Sequence, residues 1–374
     1  AFAMTDRLPL TPLARLLPDT VPFVGPEAQE RTRGRPFRAR LGANENGFGP
    51  SPRVISAMAE AAGEMWKYCD PDNHDLKVAL AAHFALTPDN VVIGEGIDGL
   101  LGLTVRLFVH ESDVVVTSLG AYPTFNYHVA GFGGRLVTVP YRDDREDLDG
   151  LLQAVKREKA PLVYLSNPDN PMGSWWKASE IDAFFNALPE STVLILDEAY
   201  GETAPVDALP QIDVSRPNLV RMRTFSKAYG LAGLRCGYAI GHADTIRLFE
   251  KVRNHYGMNR MAQAGCLAAL EDQDYLAETV ARTAAGRERI AAIAATHGLQ
   301  ALPSATNFVA IDCGRDGAFA LKVMQELLSR DIFVRKPMVP GLDRTVRISV
   351  GPENEIELFG EAFGPALEAA RQAS

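Results

Sequence analysis

The sequence predicts an α/β protein: a mostly parallel seven-stranded sheet with helices on both faces, carrying a smaller α+β domain. Three patterns lead there. Short β-branched runs recur between about residues 90 and 241, apolar stretches with helical spacing lie between most of them, and beyond residue 257 the chain turns alanine-rich before a second strand set begins. Apolar runs without polar alternation mark strands buried on both faces. Strands that alternate with helices pair in parallel beneath a helical layer on each side.

In chain order the predicted strands are Val91-Val92-Ile93, Val114-Val115-Val116-Thr117, Leu136-Val137-Thr138-Val139, Leu162-Val163-Tyr164-Leu165, Thr192-Val193-Leu194-Ile195-Leu196, Leu219-Val220-Arg221-Met222 and Tyr238-Ala239-Ile240. Leu148, Leu151, Leu152 and Val155 share one helical face, as do Ile181, Phe184, Phe185 and Leu188. In the second unit, Leu276, Val280, Arg287, Ile290 and Ile293 lie near a helical stripe that ends before Gly298. Ala305-Thr306-Asn307-Phe308-Val309-Ala310-Ile311 then reads as a strand and 318–329 as a helix. Ile332-Phe333-Val334 and Val346-Arg347-Ile348-Ser349-Val350 read as strands, and a last helix starts at about Glu353. The first forty residues are Pro- and Arg-rich with weak periodicity, which suits an arm lying over another surface. The predicted units are an arm at 1–45 packing with the small domain, a large domain at 46–257 and a small domain at 258–374.

Of 374 residues, 47% are hydrophobic and 23% charged, ordinary for a folded chain with a large core. The 38 basic and 47 acidic side chains leave a net charge of −9 with no dense basic block, so neither nucleic acid nor an anionic membrane is an expected partner. A small molecule is. Cys69, Cys236, Cys266 and Cys313 lie far apart without a C-x-x-C pair, against a disulfide framework or a zinc site and in favour of a reducing cytoplasm. No apolar run approaches the roughly 20 residues of a membrane span, and the first residues lack the charged-then-apolar order of a secretory leader.

Ligands of such sheets sit beyond the carboxyl ends of the strands, and polar motifs gather there. Gly94-Glu95-Gly96-Ile97-Asp98 follows the first strand, Ser118-Leu119-Gly120-Ala121-Tyr122 the second, Ser166-Asn167-Pro168 the fourth and Asp197-Glu198 the fifth. The chemistry centres on Lys227, which follows Ser226 and precedes Arg235 by eight positions in a Gly-rich run. A lysine that condenses with a cofactor aldehyde must shed its proton in a dry or cation-flanked place. A cofactor phosphate needs hydroxyl and guanidinium donors beside it. That combination points to pyridoxal 5'-phosphate, although Ser-Lys is also a common dipeptide at a solvated helix start.

Asp197 ends an apolar strand thirty residues before Lys227. Its carboxylate meets either a protonated pyridine nitrogen or, as a plain cap, the next helix. Three residues later, Tyr200 is placed to donate to a phenolate oxygen. Asn170, in Ser166-Asn167-Pro168-Asp169-Asn170-Pro171-Met172-Gly173, offers an amide to the same oxygen, while the segment reads equally well as a turn. Phe125 is a stacking ring or core. Gly96, Ile97 and Asp98 open an apolar helix whose backbone N–H groups suit a phosphate, as many Gly-bearing helix starts do. Arg347, in an alternating strand, and Arg335, at the end of the preceding one, are surface residues or carboxylate clamps.

Together these segments resemble the fold-type I pyridoxal-phosphate aminotransferases, most closely the histidinol-phosphate aminotransferase subfamily, from about Leu41 to Gly351. Leu41-Gly42-Ala43-Asn44-Glu45-Asn46-Gly47-Phe48-Gly49-Pro50-Ser51-Pro52 looks like the subfamily's opening signature, and Lys67-Tyr68-Cys69-Asp70-Pro71-Asp72 like its tyrosine-proline-aspartate segment. The resemblance implies that Lys227 forms the Schiff base and moves the proton at the substrate's α-carbon. By the same resemblance Asp197 pairs with the ring nitrogen, Asn170 and Tyr200 bond the phenolate oxygen, and Phe125 stacks on the ring. The loop at Gly96, through the backbone of Ile97 and Asp98, holds the phosphate together with Ser226 and Arg235. Arg347 takes the substrate carboxylate and Arg335 a substrate phosphate, with Asn44 and Phe23 also on the substrate side. Tyr68 reaches the phosphate in a partner subunit, which implies a homodimer with shared sites.

The chain departs from the pattern in places. Asp169-Asn170-Pro171-Met172-Gly173 replaces the usual Asn-Asn-Pro-Thr-Gly, and Gly96-Ile97-Asp98-Gly99 replaces Gly-Ser-Asp-Glu. Trp175-Trp176 stand where smaller or polar residues are common. Val21-Pro22-Phe23-Val24-Gly25-Pro26 has Phe23 where a substrate-facing tyrosine is expected. The implied activity moves an amino group between an amino acid or amino phosphate, histidinol phosphate or an aromatic amino acid, and a 2-oxo acid such as 2-oxoglutarate. The alternative is a decarboxylase of the threonine-phosphate type, which shares the lysine, the aspartate and the carboxylate arginine. A sensor domain of a transcription regulator needs a helix-turn-helix module ahead of it, which the Pro-rich arm is too short to form.

Overall fold

The computed structural model describes residues 8–19 and 23–373. Val21 and Pro22 of the arm motif, and the first seven residues on which the leader expectation rests, lie outside the described residues. The chain opens with α1 (Pro12–Leu16), α2 (Pro26–Arg33), the short strand β1 (Ala39–Arg40), α3 (Pro52–Ala62) and α4 (His74–His83). Strands and helices then alternate: β2 (Val91–Gly94), α5 (Gly96–Phe108), β3 (Val114–Ser118), α6 (Pro123–Gly131), β4 (Arg135–Val139), α7 (Leu148–Glu158), β5 (Leu162–Ser166), α8 (Ala178–Ala187), β6 (Val193–Asp197), β7 (Leu219–Thr224) and β8 (Gly237–Gly241). The remainder holds α9 (Ala243–Leu248), α10 (Arg260–Glu271), α11 (Gln273–Thr296), β9 (Gln300–Ala301), β10 (Phe308–Asp312), α12 (Gly317–Ser329), β11 (Ile332–Phe333), β12 (Thr345–Ser349) and α13 (Glu353–Gln372).

All seven strands read from the sequence form one sheet in the order β2-β8-β7-β6-β5-β3-β4. Only β8 runs antiparallel to its neighbours. Successive residues of β5 show why the runs are apolar throughout. Leu162 and Tyr164 pack with α5 and α6 through Leu101, Phe125 and Val129, whereas Val163 and Leu165 pack with α7 and α8 through Val155, Ile181 and Phe184. A strand with helices on both faces has no side for water.

In the smaller unit, β12, β10 and β9 form an antiparallel sheet. It shares one core with α11, α12 and α13 through Ile290, Val323, Phe359 and Phe363. The arm lies on this unit: β1 pairs in parallel with β11, Ala39 and Leu41 join its core, and Arg33 and Arg35 pair with Asp331. Helix α10 falls beyond residue 257, yet its Ala262, Cys266 and Leu270 pack with Val54, Ile93 and Tyr238. By packing, the division therefore comes after α10. An alanine-rich helix carries no sequence mark of which core it will join.

Candidate active site

Every strand-end motif named above converges between the two units. A small cavity of about 150 Å³ is lined by Ile97, Asp98, Tyr122, Tyr164, Ser166, Asn170, Asp197, Tyr200, Thr224, Ser226, Lys227 and Arg235. It adjoins a wider cleft of about 1120 Å³, whose walls include Phe23, Asn44, Asn170, Lys227, Arg335 and Arg347.

Lys227 lines both. Its Nζ donates to the Asn44 carbonyl at 3.4 Å and sits 5.7 Å from the centre of the Tyr200 ring. Burial, reinforced by the Arg347 guanidinium, lowers its pKa to about 8. That is the condition a nucleophilic amine needs. Asp197, at the end of β6, accepts from Tyr164 Oη at 2.6 Å and from the Ala199 amide at 2.9 Å. Burial raises its carboxyl to about 6, and the Asp98 and Glu198 carboxylates add to the rise.

Asn44, in the left-handed region at φ 56°, ties the arm to the catalytic end of the sheet. Its Nδ2 donates to Tyr200 Oη at 3.0 Å, which leaves the tyrosine's own proton free. Asn307 donates to its carbonyl at 2.9 Å, and Ser349 Oγ donates to Asn44 Oδ1 at 3.1 Å. Tyr200 is pushed well above the usual range by burial and so keeps its proton.

Arg347 is held by neutral acceptors. Nη1 donates to Asn170 Oδ1 at 2.7 Å and Nη2 to the Gly42 carbonyl at 3.4 Å, while Nε is buried without a partner. Burial lowers its pKa to about 10. The bond to Arg347 uses the oxygen of Asn170 and leaves its NH₂ group as a donor. Arg335, bridged to Arg347 through the backbone, donates to the Val24 carbonyl at 2.9 Å, with its guanidinium 6.0 Å from the Phe23 ring. Phe23 faces Tyr122 at 6.4 Å between ring centres.

At the opposite end, the N-terminus of α5 faces Ser226 and Arg235. Arg235 Nη1 lies 3.5 Å from Ser226 Oγ, and Nη2 lies 3.5 Å from Asp98 Oδ2. Asp98 Oδ1 accepts from Tyr122 Oη at 2.7 Å. Thr224 Oγ1 donates to Ser226 Oγ at 2.9 Å, leaving the serine proton available. Gly96 has φ 74°, and a Cβ there would lie 2.7 Å from Arg235 Nη2. The glycine is what lets the guanidinium close against the helix end. Helix-start amides, a hydroxyl and a guanidinium fit a phosphate, and an amine and a buried carboxylate that forms no ion pair among the described residues fit an aldehyde-bearing pyridinium. The donor set suits pyridoxal phosphate.

Two predicted residues lie elsewhere. Phe125 is fully buried and stacks on Tyr164 at 4.8 Å and 17°, within the core beneath α6. Of its two readings, core is the one realised, and Tyr122 at the helix start forms the cavity wall instead. Tyr68 is 79% exposed and packs on Tyr256, away from both cavities. The sequence does not single out Tyr164, Thr224, Asn307 and Ser349, which the fold brings to the site. Signals existed for two of them: a phenol within an otherwise apolar strand needs a buried partner, and Ser349 shares a strand face with Arg347 two residues earlier.

A model of the aminotransferase class I and II family matches residues 39–363. The chain is 37% identical over 357 residues to a histidinol-phosphate aminotransferase of Roseiflexus castenholzii, covering 93% of this chain and 95% of that protein. It is 35% identical over 348 residues to histidinol-phosphate aminotransferase 1 of Nitrosococcus oceani, covering 92% and 93%. The solved structure of histidinol-phosphate aminotransferase from Sinorhizobium meliloti in complex with pyridoxal-5'-phosphate is similar at a TM-score of 0.94 and 57% identity, covering 100% of this chain and 99% of that one. The chain belongs to the class I and II aminotransferases.

Proposed function

We propose that this chain is a pyridoxal-phosphate-dependent aminotransferase that takes the amino group of histidinol phosphate or an aromatic amino acid and passes it to a 2-oxo acid such as 2-oxoglutarate. The observation that carries the proposal is Lys227 Nζ, with its pKa lowered to about 8, in one cavity with Asp197 and in one cleft with Arg347. Bound there, pyridoxal phosphate supplies an electron sink for the charge that develops at the substrate's α-carbon.

The chain's own residues do the rest. Lys227 anchors the cofactor by its amine and, once released, takes the proton from the α-carbon. Asp197 holds a ring nitrogen in its protonated form, which relieves the unpaired carboxylate. Tyr200 and the Asn170 amide donate to the phenolate oxygen. Ser226, Arg235 and the backbone of Ile97 and Asp98 hold the phosphate, with Gly96 making room. Arg347 takes the carboxylate of the 2-oxo acid, and Arg335, beside Phe23 and Asn44, faces the distal group of the donor. We also propose a homodimer, supported by Met65, Trp66, Tyr68 and Tyr256, which leave apolar surface exposed. The four cysteines are buried and free, which suits a reducing compartment and supports a cytoplasmic location.

Two measurements test this. Borohydride reduction of the loaded protein followed by peptide mass mapping places the pyridoxyl group on Lys227. Lys227→Ala carries none and has no visible absorption band. A donor panel with 2-oxoglutarate, including histidinol phosphate and phenylalanine, yields glutamate from at least one of them. Release of carbon dioxide without glutamate would instead identify a decarboxylase.

A further inference from the structure

Behind Asn170 lies a pair of carboxyls that the mechanism above does not use. Glu146 and Asp169 are 1% and 2% exposed and hydrogen-bonded to each other. Their remaining partners are neutral. Ser118 Oγ donates to Glu146 Oε2 at 2.6 Å and the Ser166 amide to Oε1 at 2.9 Å. Tyr141 Oη donates to Asp169 Oδ1 at 2.7 Å and the Met172 amide to Oδ2 at 2.9 Å. Tyr164, on β5, turns its hydroxyl to Asp197. Arg344, on the loop side, is engaged by Asp144 and Asp312, and Arg145 lies over the Trp176 ring. Among the described residues, the cation left facing the pair is Arg347, which acts on Asp169 and bonds its chain neighbour Asn170.

We propose that Glu146 and Asp169 are a proton-sharing positioning pair for the substrate-carboxylate site: they hold one proton between them while Arg347 has no anionic ligand, and take a second from water when a carboxylate binds there. The charges require it. Two touching carboxylates in a dry pocket cannot both ionise, so the pair carries one negative charge, and that charge is the counter-ion of a buried guanidinium whose other partners are neutral. When a substrate carboxylate neutralises Arg347, the pair's charge faces a new anion instead of a free cation. Protonation removes the conflict. The directions agree: burial raises Asp169 to about 7 and Glu146 well above the carboxylate range. Asp169 is also the residue that departs from the subfamily's usual asparagine, so the device is a property of this chain's motif. The inference rests on the assignment of Arg347 to the carboxylate.

The test is calorimetric binding of 2-oxoglutarate to the loaded aldehyde-form enzyme, which has no amino group to give, in buffers of differing ionisation enthalpy. Wild type takes up a fraction of a proton per ligand between about pH 6.5 and 8, and its affinity falls with rising pH by up to about tenfold per unit. Asp169→Asn keeps the shape and the acceptor for the Met172 amide, while its NH₂ donates to Tyr141 Oη where the carboxylate accepted, and it abolishes the pair-linked uptake. Glu146→Gln, which leaves Asp169 ionised opposite Arg347, keeps the uptake, now carried by Asp169 alone. Binding of the ligand to wild type without proton uptake overturns the inference, whether or not the variants fold, as does equal uptake in folded Asp169→Asn. Undiminished binding to Arg347→Ala instead overturns the carboxylate assignment beneath it.

Discussion

Asp197 shows how a single residue can cost stability until its ligand arrives. Its native carboxyl sits at about 6 against an ordinary 3.8. A carboxyl raised on folding binds more protons in the native than in the unfolded state between those values. Stability from this group is therefore full at low pH and falls as pH rises from about 4 to 6, by about 3 kcal/mol in all. In the cofactor-free protein, Asp197→Asn removes that loss, so urea midpoints of wild type and variant diverge in favour of the variant across this window. Loading with pyridoxal phosphate reverses the order, because a cationic ring nitrogen then pairs with the ionised aspartate and asparagine cannot replace it. Parallel midpoints in the cofactor-free proteins would exclude an unpaired, desolvated Asp197.

At the scale of elements, the phosphate end of the site depends on where α5 begins. Gly96→Ala places a methyl group 2.7 Å from Arg235 Nη2 on a backbone at φ 74°. The side chain adds roughly 1 kcal/mol of left-handed strain and displaces the guanidinium. Loss of one charge-assisted bond weakens pyridoxal phosphate by about ten- to hundredfold, read by titrating the cofactor-free protein. Gly131→Ala, with open space around its Cβ at the end of α6, leaves that affinity unchanged. Such starts and strand ends were legible in the sequence because β2, β3, β5 and β6 each stop at a change from apolar to polar residues. What was not legible is contact made across the fold. Phe125 and Tyr122 are three residues apart in the same motif, and nothing local decides which of them the turn into α6 sends to the core. Asn307 and Ser349 gain their role only because β10 and β12 bring them against Asn44, more than 250 positions earlier.

For the whole molecule, the question is whether one chain completes a site. Tyr68 is 79% exposed and stands with Trp66 and Tyr256 on a patch that lines neither cavity of its own chain. If a second copy covers that patch about a two-fold axis, each Tyr68 enters the other chain's site. Tyr68→Ala then weakens cofactor binding without touching Lys227, while Lys227→Ala is inactive with Tyr68 intact. Mixing the two variants under conditions that exchange subunits makes hybrid dimers. In each hybrid one site combines Lys227 from the first variant with Tyr68 from the second, and the other site lacks both. Random pairing in equal amounts makes half of the dimers hybrids, so transaminase activity recovers to about a quarter of the wild-type level although neither parent reaches it. A mixture that never exceeds the mean of its parents, while sedimentation shows that exchange has occurred, would place Tyr68 outside the partner's site and leave each chain catalytically self-sufficient.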